Sequence, residues 1–149
     1  MTRRDLGLLL PALGFLSAAM EAQGEEAGQL LPAHSRAFAF EELPVRRSSG
    51  GAATRPVLRG KLPTGEAVEL HETTLMPGQM PHPAHRHVHT ELMLIREGTV
   101  QFILSDGAHP IGPGGVAYAA SGEMHGLKNT GTAPATYYVI AIGTDPPQA

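Results

Sequence analysis

The stretch His85-Arg86-His87-Val88-His89-Thr90-Glu91, closed by Gly98 after six intervening residues, decides the reading of this chain. Four of its eight histidines fall within eight residues, at 82, 85, 87 and 89. Water-facing loops gain solubility equally well from Lys, Asp or Ser, so such a concentration of imidazoles points to metal ligation. On a strand, side chains two apart project to the same side, so His85 and His87 can present two imidazoles to one ion. After a bend at Val88-His89-Thr90, Glu91 brings a carboxylate from the start of the next strand. A third imidazole from a distant strand would complete a site of three nitrogens and one oxygen. Such a donor set suits a divalent first-row metal: Fe, Mn, Ni, Cu, Zn or Co.

Outward from that stretch, the chain reads as short strands punctuated by turns. Its 149 residues bound it to one domain with short appendages, and its 42% hydrophobic and 17% charged residues suit a folded core. Eighteen glycines and 13 prolines are many for a helical bundle and usual for tight turns. Strands are expected at Arg36–Leu43, with Phe38 and Phe40 on one face, and in a hairpin of 56–62 and 66–75 about Pro63-Thr64-Gly65. Further strands are expected at 91–95 and 99–104 about a hairpin turn at Gly98, at 108–111 after Asp106-Gly107, and at 116–119, 124–128 and 135–142. That makes nine or ten strands with no amphipathic helix beyond residue 35, an all-β antiparallel barrel or sandwich. ELMLI (91–95) and YYVIAI (137–142) are apolar at successive positions. Each therefore covers both faces, the outer one against the N-terminal segment or a second copy, and a homodimer is expected.

Composition removes several function classes. The absence of cysteine excludes disulfides, thiolate-held zinc, iron–sulfur clusters, a thiol nucleophile and a lipid anchor on cysteine. A net charge of −3 with two lysines argues against nucleic acid as a partner. Residues 1–22 (MTRRDLGLLLPALGFLSAAMEA) have the layout of an export signal: arginines, an apolar run from Leu6 to Ala19, then small residues. As a helix that run would reach roughly 21 Å, short of a bilayer's ~30 Å core, so no stable membrane span is expected after its removal. Thr2-Arg3-Arg4-Asp5-Leu6 resembles the twin-arginine motif of bacterial export, which implies a periplasmic or extracellular destination. Residues 23–35 read as a linker and 36–149 as the domain.

The histidine stretch resembles the first conserved motif of the cupin superfamily, HxH, three residues, Glu, six residues, Gly, over His85 to Gly98. Gly114, five residues, then Ala120-x-Gly122-x-x-His125-x-x-x-Asn129 resembles the second, with Ala120 where proline is usual. Six residues separate Gly78 from His85, where five are usual. The likeness covers about residues 55–142. It implies a single jelly-roll β-barrel whose metal ligands are His85, His87, Glu91 and His125. Members include dioxygenases, isomerases, decarboxylases, storage proteins and sugar-binding domains. The expected function is thus a metal-dependent enzyme, oxygenase-type first, acting on a small organic molecule. The rival is a non-catalytic small-molecule or sugar-binding module with a structural metal.

Met93 shares the parity of Glu91 and is expected to line the pocket, with His82 at its mouth and Phe102 and Tyr118 as further candidates. His89 is read as marking the bend, Asn129 as a turn residue, His71 as structural and facing away from Val68 and Leu70, and His34 and His109 as solvated.

Overall fold

The computed structural model describes residues 29–49 and 51–143. The export segment read over 1–22 lies outside them. Ten strands form: β1 (Gln29–Leu30), β2 (Arg46–Arg47), β3 (Ala53–Lys61), β4 (Ala67–Leu75), β5 (Thr90–Glu97), β6 (Val100–Leu104), β7 (Gly107–Ile111), β8 (Val116–Ala119), β9 (Gly126–Asn129) and β10 (Ala135–Gly143). They make a seven-stranded sheet in the order β1-β3-β4-β10-β5-β8, with β2 on β3, and a three-stranded sheet β7-β6-β9. All pairings are antiparallel except β1 on β3, where Gln29–Leu30, within the stretch read as a linker, adds a parallel strand.

The sheets face each other across one apolar core. Leu75, Met93, Ile95, Ala117, Ala119, Ala135, Tyr137 and Val139 come from the large sheet, and Val100, Phe102 and Leu127 from the small one. Alternation along each strand puts these side chains inward. The hairpins about Pro63-Thr64-Gly65 and Asp106-Gly107 form as read.

Besides β1 and β2, which the sequence reading did not place, two segments differ from it. Gly98 does not turn a hairpin: β5 pairs with β10 and β8, whereas β6 pairs with β7 and β9. The turn instead carries the chain from one sheet to the other. Gly98 has φ +80°, and a Cβ there would stand 2.7 Å from the Ala135 Cα, so only glycine makes this corner without strain. Nor is Arg36–Leu43 a strand. The segment crosses the outside of the large sheet, and a 3-10 turn at Phe40–Glu42 lowers Phe40 between two guanidinium groups. Arg55 and Arg96 lie 4.5 and 4.7 Å from its ring centre. Beneath, Arg55 pairs with the fully buried Glu72 at 3.0 Å, and Thr74 donates a hydrogen bond to the other carboxylate oxygen.

Asn129 is fully buried and acts as a three-way clasp. Its amide donates to the carbonyls of Leu75 and Ala133, and its Oδ1 accepts from the Gly131 N–H, each at 2.9 Å. The end of β9 is thereby tied to β4 and to the loop entering β10. Among the described residues no helix is long and apolar enough to cross a membrane.

Candidate metal centre

The histidine stretch is not a regular strand. His85 forms an isolated bridge with His125, each N–H donating to the other's carbonyl at 2.9 and 3.0 Å, and residues 86–89 follow as an extended bend. The bridge still brings the imidazoles together. Ring centres stand 5.0 Å apart for His85 and His87, 5.0 Å for His85 and His125, and 4.6 Å for His87 and His125. A nitrogen from each ring lies within 4.8 Å of the other two. Glu91, at the start of β5, reaches in with Oε1 3.3 Å from His87 Nε2 and Oε2 3.4 Å from His125 Nε2.

Hydrogen bonds fix which nitrogen each ring offers. His87 Nδ1 donates to the His89 carbonyl at 2.8 Å, and His125 Nδ1 to the Glu123 carbonyl at 3.0 Å. A carbonyl only accepts, so each Nδ1 carries the proton and each neutral ring keeps its lone pair on Nε2. Those two atoms, His85 Nδ1 and His89 Nδ1 are buried with no hydrogen-bond partner, and the first three belong to the rings that cluster beside Glu91. Three orphaned nitrogens facing one another beside a carboxylate are costly unless something occupies the point they share. Ligand atoms each about 2.1 Å from a common ion stand roughly 3.0–3.4 Å apart at bond angles between octahedral and tetrahedral. The two Glu91 distances match, and the residues present could hold a metal ion.

Electrostatics agree. Burial lowers the pKa of His85 from 6.5, and the nearby His82, His125 and His87 rings lower it further, keeping it in the neutral ligand form. Burial alone would raise the Glu91 carboxyl. The His89 hydrogen bond and the electrostatic influence of the nearby His87, His89 and His125 rings outweigh it and hold Glu91 below the usual 4.5. His89 therefore does more than mark a bend. Its ring stacks on His87 at 3.6 Å, 9° from parallel, and its Nε2 donates to Glu91 Oε1 at 3.0 Å.

The centre opens onto a cavity of about 250 Å³ between the sheets. Glu91, His125, Met93 and His82 line one part, and Thr54, His71, Thr73, Tyr137 and Val139 the other. Of the pocket candidates, Met93 and His82 are there, the His82 ring 4.2 Å from that of His85. Phe102 and Tyr118 are not. Phe102 is packed in the core, its ring 6.3 Å from that of His125. Tyr118 is 61% exposed on the outer face, because β8 pairs Ala119 with Glu91 and Ala117 with Met93, leaving Tyr118 opposite the outward Leu92. The reading missed His71, which faces away from Leu70 as expected but lines this cavity. Tyr137, hydrogen-bonded to Thr73, was missed as well; burial pushes its phenol well above the usual 10. His34 is exposed, and His109 is an exposed partner of Asp106.

The sequence model described as "Cupin domain" matches residues 71–141, from β4 through both histidine motifs to β10. Residues 71–141 form a cupin domain. No curated protein sequence matches this cupin. Among solved structures it is similar to a sugar phosphate isomerase of the cupin superfamily from Silicibacter pomeroyi, at 20% identity, 73% of this chain and 76% of that one, with a TM-score of 0.62. A second is the polyketide cyclase RemF from Streptomyces resistomycificus, at 19% identity over 77% and 83%, with a TM-score of 0.61. A third is described as a predicted oxalate decarboxylase from Thermotoga maritima, at 21% identity over 72% and 99%, with a TM-score of 0.63. At these identities the likeness is one of fold.

Proposed function

We propose that this cupin is a divalent-metal-dependent enzyme acting on a small organic molecule. His85, His87, Glu91 and His125 hold the ion. The observation that carries the reading is the set of orphaned imidazole nitrogens beside Glu91, at the wall of an open cavity rather than in a closed core. When bound, the ion supplies a Lewis-acid centre, and iron, manganese, nickel or copper would add redox chemistry. The chain's own residues do the rest. His89 and the Glu123 carbonyl orient ligands, and Met93 and Val139 exclude water. A cavity of 250 Å³ lies below the roughly 300–1,000 Å³ of drug-sized sites, which limits the substrate to a small compound.

Oxygenase-type turnover is the reaction class we assign first. Protein loaded separately with each candidate metal is assayed for dioxygen consumption with phenol, thiol and diketone substrates. Consumption that depends on protein, metal and substrate together supports the assignment. Tight binding of a compound recovered unchanged, with no consumption, supports instead a binding module built around a structural metal.

We also propose that the enzyme is exported, on the Arg3-Arg4 motif, and works outside the cytoplasm. Retention of the precursor after Arg3→Lys with Arg4→Lys supports this; undiminished export contradicts it. A homodimer packed through the outer face of the large sheet completes the reading.

A further inference from the structure

The cavity beside the candidate metal centre has a second wall of a different chemistry. Thr54 on β3 stands opposite Thr73 on β4, and Thr73 opposite Tyr137 on β10. Neighbouring strands lie about 4.8 Å apart, so the three hydroxyl side chains form one row across three strands. All three line the cavity that Glu91 and His125 also line. Along β10, Tyr137 is one inward step from Val139 and two from Ala141, the residue opposite Glu91. The row and the quartet therefore mark two ends of one small space, with Val139 and Met93 between them. Tyr137 and Thr73 are buried and hydrogen-bond to each other, whereas Thr54 is half-buried. That bond uses one of the pair's two hydroxyl protons, and the other, with the Thr54 hydroxyl, can turn to a partner in the cavity. Burial raises the phenol's pKa and the Glu91 and Glu72 charges raise it further, so Tyr137 stays neutral and keeps its proton. Among the described residues, no lysine or arginine lines the cavity. A carboxylate or phosphate pressed against this wall would leave water with no such cation to meet it.

We propose that Thr54, Thr73 and Tyr137 are the specificity-determining wall of this site, and that the substrate is a small compound with two chelating oxygens at one end and an uncharged hydroxyl or carbonyl group at the other. The proposal rests on the metal-dependent reading above. The quartet's end of the cavity takes the chelating pair. The hydroxyl row takes the uncharged end, because hydroxyls both donate and accept. An apolar end leaves the row without a partner, and an anionic end loses its hydration with nothing of opposite charge to replace it. The wall discriminates against both.

Three probes share one chelating head and differ at the far carbon. 2-Hydroxypentanoate ends in a methyl group, 2,5-dihydroxypentanoate in a hydroxyl and 2-hydroxyglutarate in a carboxylate. Their affinities for the full chain loaded with Co²⁺ are measured by calorimetry, and the visible absorption of Co²⁺ shows that the head coordinates. The expected result is that the hydroxyl-ended compound binds roughly tenfold tighter than the methyl-ended one, with the carboxylate-ended one weakest. In Tyr137→Phe that preference falls to roughly threefold or less. Thr54→Val, at a half-buried position, lowers it as well and serves if the first variant does not fold. The preference is a ratio within one variant, so a structural loss shared by the compounds leaves it unmoved. Equal affinity for the methyl-ended and hydroxyl-ended compounds, tightest binding of the carboxylate-ended one, binding of none of the three, or a preference undiminished in both variants each overturns the proposal. Metal content is measured in parallel. A wild-type chain that takes up no ion overturns the metal-dependent reading and this proposal with it, whereas a loaded chain without the preference overturns this proposal alone.

Discussion

Three of the four residues in the candidate centre are set by a neighbour outside the quartet. His87 and His125 are turned by carbonyls two residues away, and Glu91 is held by His89. The shifts at His85 and Glu91 fix the sign of the pH response. The folded pKa of His85 lies below its unfolded value of 6.5, so between the two the unfolded chain binds more protons. Its contribution to stability is present above 6.5 and is lost as pH falls through the depressed folded value. Glu91 acts the same way below 4.5. Metal should therefore be retained at pH 6.5 and released by about pH 4, where protons displace it from imidazole. Dialysis across that range followed by elemental analysis checks this; full retention at pH 4 contradicts an imidazole site.

The sequence marked these residues unevenly, for reasons that are physical. His85, His87 and Glu91 were legible because their spacing is local; His125, far along the chain, was reached only through the likeness of Gly114 to Asn129 to a second motif. Met93 followed from Glu91 by parity. Tyr118 did not, because which side of β8 faces inward depends on its register with β5, and nothing within four residues encodes it. His71 carried a parity but no sign that the inner face at that height is a cavity rather than packed core.

Among the elements, most of the strand pattern was legible; the two-residue strands β1 and β2 were not, and two further exceptions arose where a segment's partner is remote. Phe38 and Phe40 alternate as a strand would, but no free neighbour pairs with that segment. Arg55 and Arg96, on separate strands, capture Phe40 instead. Phe40→Ala should release this strap and cost about 1–2 kcal/mol, the loss of two cation–π contacts and part of the cover over Glu72. Gly98 reads locally as a hairpin glycine, yet it turns the corner between sheets. Gly98→Ala should cost about 2–3 kcal/mol from positive φ and the clash with Ala135. Urea unfolding measures both; a Gly98→Ala variant as stable as wild type would contradict the corner assignment.

At the scale of the molecule, the outer face of the large sheet carries a row of apolar side chains that the N-terminal strap does not cover. Val116 is 55% exposed and Leu94 38%; Tyr118 and Ile142 lie on the same face. A second copy is the cover proposed for it. Light scattering at micromolar concentration should give twice the chain mass, and Tyr118→Glu should return it to one. A wild-type monomer contradicts that packing.

In the proposed function the His85, His87 and His125 imidazoles and Glu91 hold one metal ion. Elemental analysis of the purified chain, with Glu91→Ala and His125→Ala beside it, tests this directly. The account predicts about one transition-metal ion per wild-type chain and, because each variant loses a ligand, a loss of at least tenfold in both. A wild-type chain that takes up no ion when offered each candidate metal, or variants that retain the full complement, would contradict it.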